Sequence, residues 1–257
     1  MTRQIHIGTS GWSYDHWRGH FYPGHLANER MLAYYAGHFR TTEINTSFYH
    51  LPARETLKLW HELTPADFLF AVKASRYITH MKKLKDAGQS VSTFLRRIRI
   101  LGEKLGPILF QLPPRWRFNK ERLTAFLDAL SAEFSYAFEF RDRSWLNEET
   151  RELLSRHGAA FCIYELDGFL TSKEITSDLV YVRLHGPGGP YQGSYNDECL
   201  SGWAGDFARW AVQDHAVFCY FDNDERGYAA RNALRLQAML VESPERGPAS
   251  PSSPVGG

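Results

Sequence analysis

Cysteine is scarce: the 257 residues hold three, Cys162, Cys199 and Cys219. They form no CxxC pair, so neither a disulfide ladder nor a cysteine zinc site is encoded. Cys162 and Cys219 lie in apolar runs, where a free thiol behaves as a small hydrophobe, and a reducing compartment follows. An excess of charge of one sign is also missing. Lys and Arg number 30 against 29 Asp and Glu, a net charge of +1, which excludes the global basic excess of a nonspecific nucleic-acid binder. No run approaches the roughly 18 consecutive apolar residues of a membrane span. Residues 1–8 carry no apolar signal core. We therefore expect a cytoplasmic protein with no membrane partner. HExxH and Asp-rich cation loops are absent, so no metal is expected. Ser10, in the glycine-flanked turn after the first apolar run, lacks the GxSxG elbow of a serine hydrolase.

What is present is an alternation. Short β-branched and aromatic runs at 5–8, 42–46, 68–74, 107–112, 136–141, 160–165, 179–185 and 217–222 read as strands. Segments of helical period lie among them at 29–38, 53–63, 90–105, 120–131, 148–157 and 202–213, and a last one follows at 228–240. The gap 166–178 has room for a brief helix at most. Strands alternating with helices mean parallel βαβ units, in an open doubly wound sheet or a closed barrel. Eight runs favour a single (β/α)8 barrel over residues 1–242, a size usual for that fold. A dinucleotide fold would show GxGxxG after its first strand, but the turn reads Gly8-Thr9-Ser10-Gly11-Trp12. No cofactor is assigned. Residues 243–257 are rich in Pro, Ser and Gly, and we expect a disordered tail there.

Strand side chains alternate between faces. Phe68, Phe70 and Val72 suit covering helices, which turns Lys73 toward the barrel axis at the strand's C-terminal end. The same split turns Glu43 and Asn45, Gln111, Glu139 and Arg141, Arg183 and His185, and Asp222 inward. Asn223 competes with Asp222, and the sixth strand is ambiguous between Tyr164 and Glu165. Strand after strand thus ends its inner face in a polar group, at the end where barrel active sites lie. The plain alternative is a structural network, because buried charges must be paired.

Seven stretches resemble the domain-of-unknown-function family 72, also called YecE-like. They are IGTSGWSYDHWRGHFYP (7–23), TEINTSFYHLP (42–52), FAVKASRYITH (70–80), ILFQLPP (108–114), FEFRDRSW (138–145), YVRLHG (181–186) and YFDNDERGYAARNA (220–233). The resemblance covers nearly all of the chain before the tail. It implies a TIM-type barrel and brings no reaction with it. Where the family often shows Asn-Asn in the last strand, this chain has Asp222-Asn223, which adds a carboxylate.

The residues themselves suggest chemistry. Arg141 and Arg183 offer bidentate forks for phosphate or carboxylate. Gly186-Pro187-Gly188-Gly189 follows the seventh strand, where barrel phosphate sites often lie, although such loops are commonly plain turns. Trp12, Tyr14, Trp17, Phe21, Tyr22, Phe48, Tyr49, Trp116, Trp145, Tyr191 and Tyr195 fall after strands, on the mouth side. Flat aromatic faces suit a sugar, a nucleobase or a single strand, or they pack loops together. Glu43, Lys73, Glu139, His185 and Asp222 are the candidate catalytic residues, with Glu139 or Glu43 as the acid–base group. Trp12, Asn45, Gln111, Arg141, Trp145, Arg183 and Asn223 are the candidate ligand-binding residues. The expected partner is a small anionic ligand, a phosphorylated sugar or nucleotide-like compound. The rivals are a metal-assisted nuclease or phosphodiesterase and a noncatalytic module holding nucleic acid or a metabolite.

Overall fold

The computed structural model describes residues 5–242, so the expected tail at 243–257 lies outside the described residues. The strands are β1 (Ile5–Thr9), β2 (Thr41–Ile44), β3 (Leu69–Lys73), β4 (Leu105–Leu112), β5 (Tyr136–Phe140), β6 (Ala160–Leu166), β7 (Phe169–Leu170), β8 (Leu179–Leu184) and β9 (Ala216–Phe221). The helices are α1 (Met31–Ala36), α2 (Thr46–Tyr49), α3 (Arg54–Glu62), α4 (Ala87–Ile98), α5 (Lys120–Asp128), α6 (Glu148–Arg156), α7 (Asp197–Val212) and α8 (Tyr228–Glu242). All strands but β7 run parallel, in the order β1-β9-β8-β6-β5-β4-β3-β2, and an isolated parallel bridge from Ser10 to Glu43 brings the two ends together. This is the (β/α)8-type barrel that the alternation predicts.

Closure rests on side chains. The Thr9 N–H donates to the Tyr35 hydroxyl (2.9 Å), which donates on to the Thr41 carbonyl (3.1 Å). Thr42 Oγ1 donates to the Thr9 carbonyl (3.0 Å). A tyrosine from α1 thus stitches β1 to β2 where direct backbone pairing is incomplete. Gly8 lets the two backbones approach this closely: a Cβ there would sit inside contact distance of the Thr41 carbonyl oxygen.

The faces divide as the sequence pattern implies. Phe68, Phe70, Val72, Ile108, Phe110, Phe138 and Phe140 join the core between sheet and helices, while Ala71, Leu109, Ala137, Cys162, Tyr164, Tyr181 and Tyr220 fill the barrel. Small residues on β3 and β5 share the interior with large tyrosines on β8 and β9, the mixture of sizes that fills a closed barrel. The sixth strand turns Tyr164 inward rather than Glu165.

The 166–178 gap contains no helix. It pairs β7 antiparallel to β6 and descends as coil. Two threonines of the coil replace the missing element's bonds: Thr171 Oγ1 accepts from Tyr164 N (3.0 Å) and Thr176 Oγ1 from Phe161 N (2.8 Å). Three helix starts are capped by asparagines. Asn119, Asn147 and Asn196 accept from the amides of Arg122, Thr150 and Cys199. Asn147→Ala should therefore destabilise the fold by about 1 kcal/mol, a fall of roughly 2–4 °C in melting temperature. An unchanged melting curve would show that the α6 cap contributes nothing.

Candidate functional site

The C-terminal ends of the strands hold one continuous charge network with Arg183 at its centre. Its side chain is 1% exposed and its two terminal nitrogens meet three carboxylates: Nη1 reaches Glu139 Oε2 at 2.8 Å, and Nη2 reaches Glu43 Oε1 at 2.8 Å and Asp222 Oδ2 at 3.0 Å. Glu43 is held further by Ser10 Oγ (2.8 Å) and by the Tyr181 hydroxyl, which donates to Oε2 at 2.6 Å. Arg141 Nε donates to the second oxygen of Glu139. His185 links the two sides: Nδ1 lies 2.9 Å from Asp222 Oδ2, and Nε2 lies 3.0 Å from Arg141 Nη2. A guanidinium only donates, so Nε2 accepts and the proton sits on Nδ1, facing Asp222.

The electrostatics follow from that packing. Burial alone would raise the Glu139 carboxyl, but Arg141 and Arg183 outweigh it and hold the group well below the usual carboxylate range. Asp222 is likewise lowered, with Arg183 and the His185 bond overcoming burial. His185 is held neutral by burial and by the Arg183 cation. Glu43 and Glu139 have no exposed surface, and both oxygens of each are engaged. Neither is open to a ligand, so the acid–base role expected of them has no support in the geometry. Arg183 is also reassigned: it neutralises carboxylates and has no fork left for an external anion.

Nearer solvent the composition changes. Lys73 closes β3 half-buried, its Nζ 4.4 Å from the centroid of the Phe48 ring, with no ion pair or hydrogen bond to Nζ among the described residues. Burial, then the Arg183 cation, pulls its ammonium down to about 8. Arg141 lies over the Tyr164 ring at 4.9 Å, and its Nη1 has no protein partner among the described residues. Asn45 Oδ1 and Gln111 Oε1 are buried acceptors without a hydrogen-bond partner. His80 lies within the field of these cations: burial, then Lys73, Arg76 and Arg141, lower its imidazole to about 4.

The aromatic rim is smaller than the sequence suggests. Trp12 packs edge-on against Trp60 at 4.9 Å, and Trp145 stacks on Phe140 at 5.1 Å with its Nε1 donating to the Trp116 carbonyl. Both are buried in the core by these contacts. Asn223 is fully buried and turned away from the axis. Its Nδ2 donates to the Gly193 carbonyl (2.8 Å) and to Asn232 Oδ1 (2.9 Å), so it pins the β8–α7 loop and does not face the mouth. That loop is no phosphate cradle. The Gly186 amide bonds the Tyr195 hydroxyl, the Gly188 amide the Gln192 carbonyl and the Gly193 amide Glu225. The rings left exposed at this end are Tyr49 (64%), Tyr77 (46%) and Tyr191 (45%), the last edge-on to His185 at 5.5 Å.

Tyr77 and Arg76 lie outside the strands, where side-chain parity does not reach. They sit at a π-helical turn, Tyr77–Met81, followed by left-handed backbone at Lys83, Leu84 and Asp86. Such turns and strained φ values gather at functional sites. The one sequence signal for them is the RYITH run that closely follows Lys73. A wide concavity of about 1150 Å3 opens at the opposite end of the barrel, bounded by Leu69, Leu105, Tyr136, Leu179 and Phe218. Its described lining includes Asp128, Glu133, Arg156, His157 and Asp178, of which His157 pairs with Asp128 at 2.9 Å and Glu133 with Arg99, whereas the described mouth gathers three carboxylates around one buried arginine. Among the described residues no group of three or more His, Cys, Asp or Glu is disposed to hold a metal ion. In the mouth, the Arg183 guanidinium lies among the carboxylates.

Comparison with known proteins agrees with the fold. A family model described as protein of unknown function DUF72 matches residues 6–255. The UPF0759 protein YunF of Bacillus subtilis (strain 168) is 27% identical over 270 residues, 92% of this chain and 94% of that protein. The UPF0759 protein YecE of Escherichia coli (strain K12) is 35% identical over 140 residues, 53% of this chain and 48% of that protein. A crystal structure of a DUF72 family protein from Thermotoga maritima superposes with a TM-score of 0.84 at 31% identity, covering 93% of this chain and 99% of that one. A second, from Enterococcus faecalis, gives 0.77 at 21% identity over 97% of this chain and 100% of that one, a likeness of fold alone.

Proposed function

The chain belongs to the DUF72 family of proteins of unknown function, and we propose that its barrel mouth binds and transforms a small anionic, hydroxyl-bearing molecule such as a phosphorylated sugar or nucleotide-like compound. Arg141 receives the anion and Lys73 handles the proton. The observation that carries this reading is the division of charge partners. Glu43, Glu139 and Asp222 are spent on Arg183, while Lys73 and Arg141 keep donors without a partner among the described residues. The unpartnered acceptors of Asn45 and Gln111 would be satisfied by ligand hydroxyls, since a buried polar atom without a bond is unfavourable. Turnover rather than mere binding is favoured by Lys73: a group near 8 can both take and give a proton near neutral pH.

Thermal-shift measurements with sugar phosphates, nucleotides, short oligonucleotides and divalent metals, each with and without chelator, test the proposal. A sugar phosphate or mononucleotide at ~100-fold its dissociation constant should add about 2.7 kcal/mol, or roughly 5–10 °C, without a metal. Arg141→Gln should weaken that ligand by about tenfold to a hundredfold, the loss of one charge-assisted bond pair. A shift seen only with a divalent metal, or only with oligonucleotides, would replace this reading by the nuclease or nucleic-acid-binding rival.

A further inference from the structure

Lys73 differs from the other cations of the network in having no oxygen to pair with among the described residues. Its backbone carbonyl is fixed by Ser47 Oγ at 2.6 Å, so the base of the side chain is anchored. Its Nζ lies over the Phe48 ring, and the acids nearest it are already bonded to Arg183, Arg141, Ser10, Tyr181 or His185. A neighbouring guanidinium and partial burial both disfavour the charged ammonium. An amine kept partly neutral among the polar groups of the barrel mouth is a weak anchor for an anion and a good nucleophile. The anion has a better anchor in Arg141, whose charge is permanent.

From this geometry we infer that Lys73 is the amine that condenses with the carbonyl carbon of an aldehyde or ketone ligand to form a protonated imine. The inference rests on the reading of the mouth as a ligand site, and it narrows the ligand to an anionic carbonyl compound. The Nζ lone pair forms the C–N bond as the C=O π pair moves to oxygen. That oxygen takes one proton shed by nitrogen and, through solvent, a second, and leaves as water. One carbonyl compound and one lysine ammonium give one protonated imine and one water, with charge conserved and no oxidant or metal. The cation of the product is placed where Glu139, Glu43 and Asp222 already favour positive charge on Nζ.

The test treats the full chain with sodium cyanoborohydride and either glyceraldehyde 3-phosphate or glyceraldehyde, and reads the modified lysine by peptide mass spectrometry. At pH 7 an amine near 8 has on the order of a hundred times more free base than an ordinary lysine. Lys73 should be alkylated at least ~tenfold faster than any surface lysine, and its rate should rise about tenfold from pH 6 to pH 7. The phosphorylated probe should outpace the neutral one. Lys73→Arg, which keeps the charge, should fold normally by circular dichroism and lose the fast label. Labelling spread over surface lysines with Lys73 unmodified would overturn the inference. Glycerol 3-phosphate, which has no carbonyl, separates the two proposals. If it stabilises the protein while Lys73 stays unlabelled, the imine falls and the anion site stands. If Lys73 labels equally fast with both aldehydes and glycerol 3-phosphate has no effect, the amine chemistry stands and the anion reading falls.

Discussion

Arg183→Met should cost the protein about 3–5 kcal/mol, the usual loss when one partner is removed from a buried ionic cluster. For a domain of this size that is a fall of roughly 10–15 °C in melting temperature. Methionine fills similar volume, so the effect isolates charge from cavity formation. Three carboxylates lose their common partner at once, and Glu43 and Glu139 have no exposed surface on which water could replace it. The effect should depend on pH in a defined direction. In the natural protein Asp222 is lowered, chiefly because Arg183 overcomes burial. Its contribution is therefore fully present above the unfolded carboxylate range and is lost only as pH falls through the lower folded value. In the variant, burial acts unopposed by Arg183 and raises that carboxyl above its unfolded value. The variant then gains stability as pH falls toward about 4–5. The gap between the two melting temperatures should narrow from pH 7 to pH 5, and Glu139→Gln in the variant should recover part of the loss. A constant gap across that range would show that packing, not charge, dominates at this position.

Gly8→Ala should destabilise the barrel by about 3 kcal/mol, at the upper end of overpacking changes, because the obstacle is backbone rather than a movable side chain. The added methyl would overlap the Thr41 carbonyl oxygen and press on the Tyr35 hydroxyl 3.0 Å away. Those two groups complete the β1–β2 seam, so the strands must separate or the Tyr35 bridge must break. Gly24→Ala provides the control: an added Cβ there meets nothing within 4 Å, and its melting temperature should stay within about 1 °C. Denaturant titration of both variants measures the difference directly. Equal midpoints would mean that barrel closure tolerates a wider seam than the hydrogen bonds indicate.

The mouth is legible in the sequence because a strand's side-chain period is two. Once Phe68, Phe70 and Val72 are given to the helices, Lys73 has to face the axis, and the same parity turns Glu43, Gln111, Glu139, Arg183 and Asp222 inward. Parity reaches only as far as a strand does. Beyond the strand ends, Trp12 and Trp145 sit in loops whose course depends on contacts with Trp60, Phe140 and Trp116, which other elements supply. The exposure of the rim tyrosines Tyr77 and Tyr191 is set in the same way. Asn223 lies two residues past its strand's end, and its orientation is decided by Asn232 on α8 and by the Gly193 carbonyl.

Alternating apolar patterns, turn residues and length determined by themselves that this chain forms a (β/α)8 barrel and which groups crowd its C-terminal end. They do so because hydrophobic burial and strand geometry act locally and repeat along the chain. How those groups divide their charge was decided only by the tertiary structure. Arg183 and Arg141 are equivalent in sequence, each on the inner face near a strand end. Yet one has both terminal nitrogens taken by acids from β2, β5 and the end of β9, while the other keeps a terminal nitrogen, Nη1, without a partner among the described residues. Pairing energy depends on distance and desolvation in three dimensions. The same pairing leaves Lys73, which strand parity only turns toward the axis, as the cation of the mouth whose amine has no partner among the described residues.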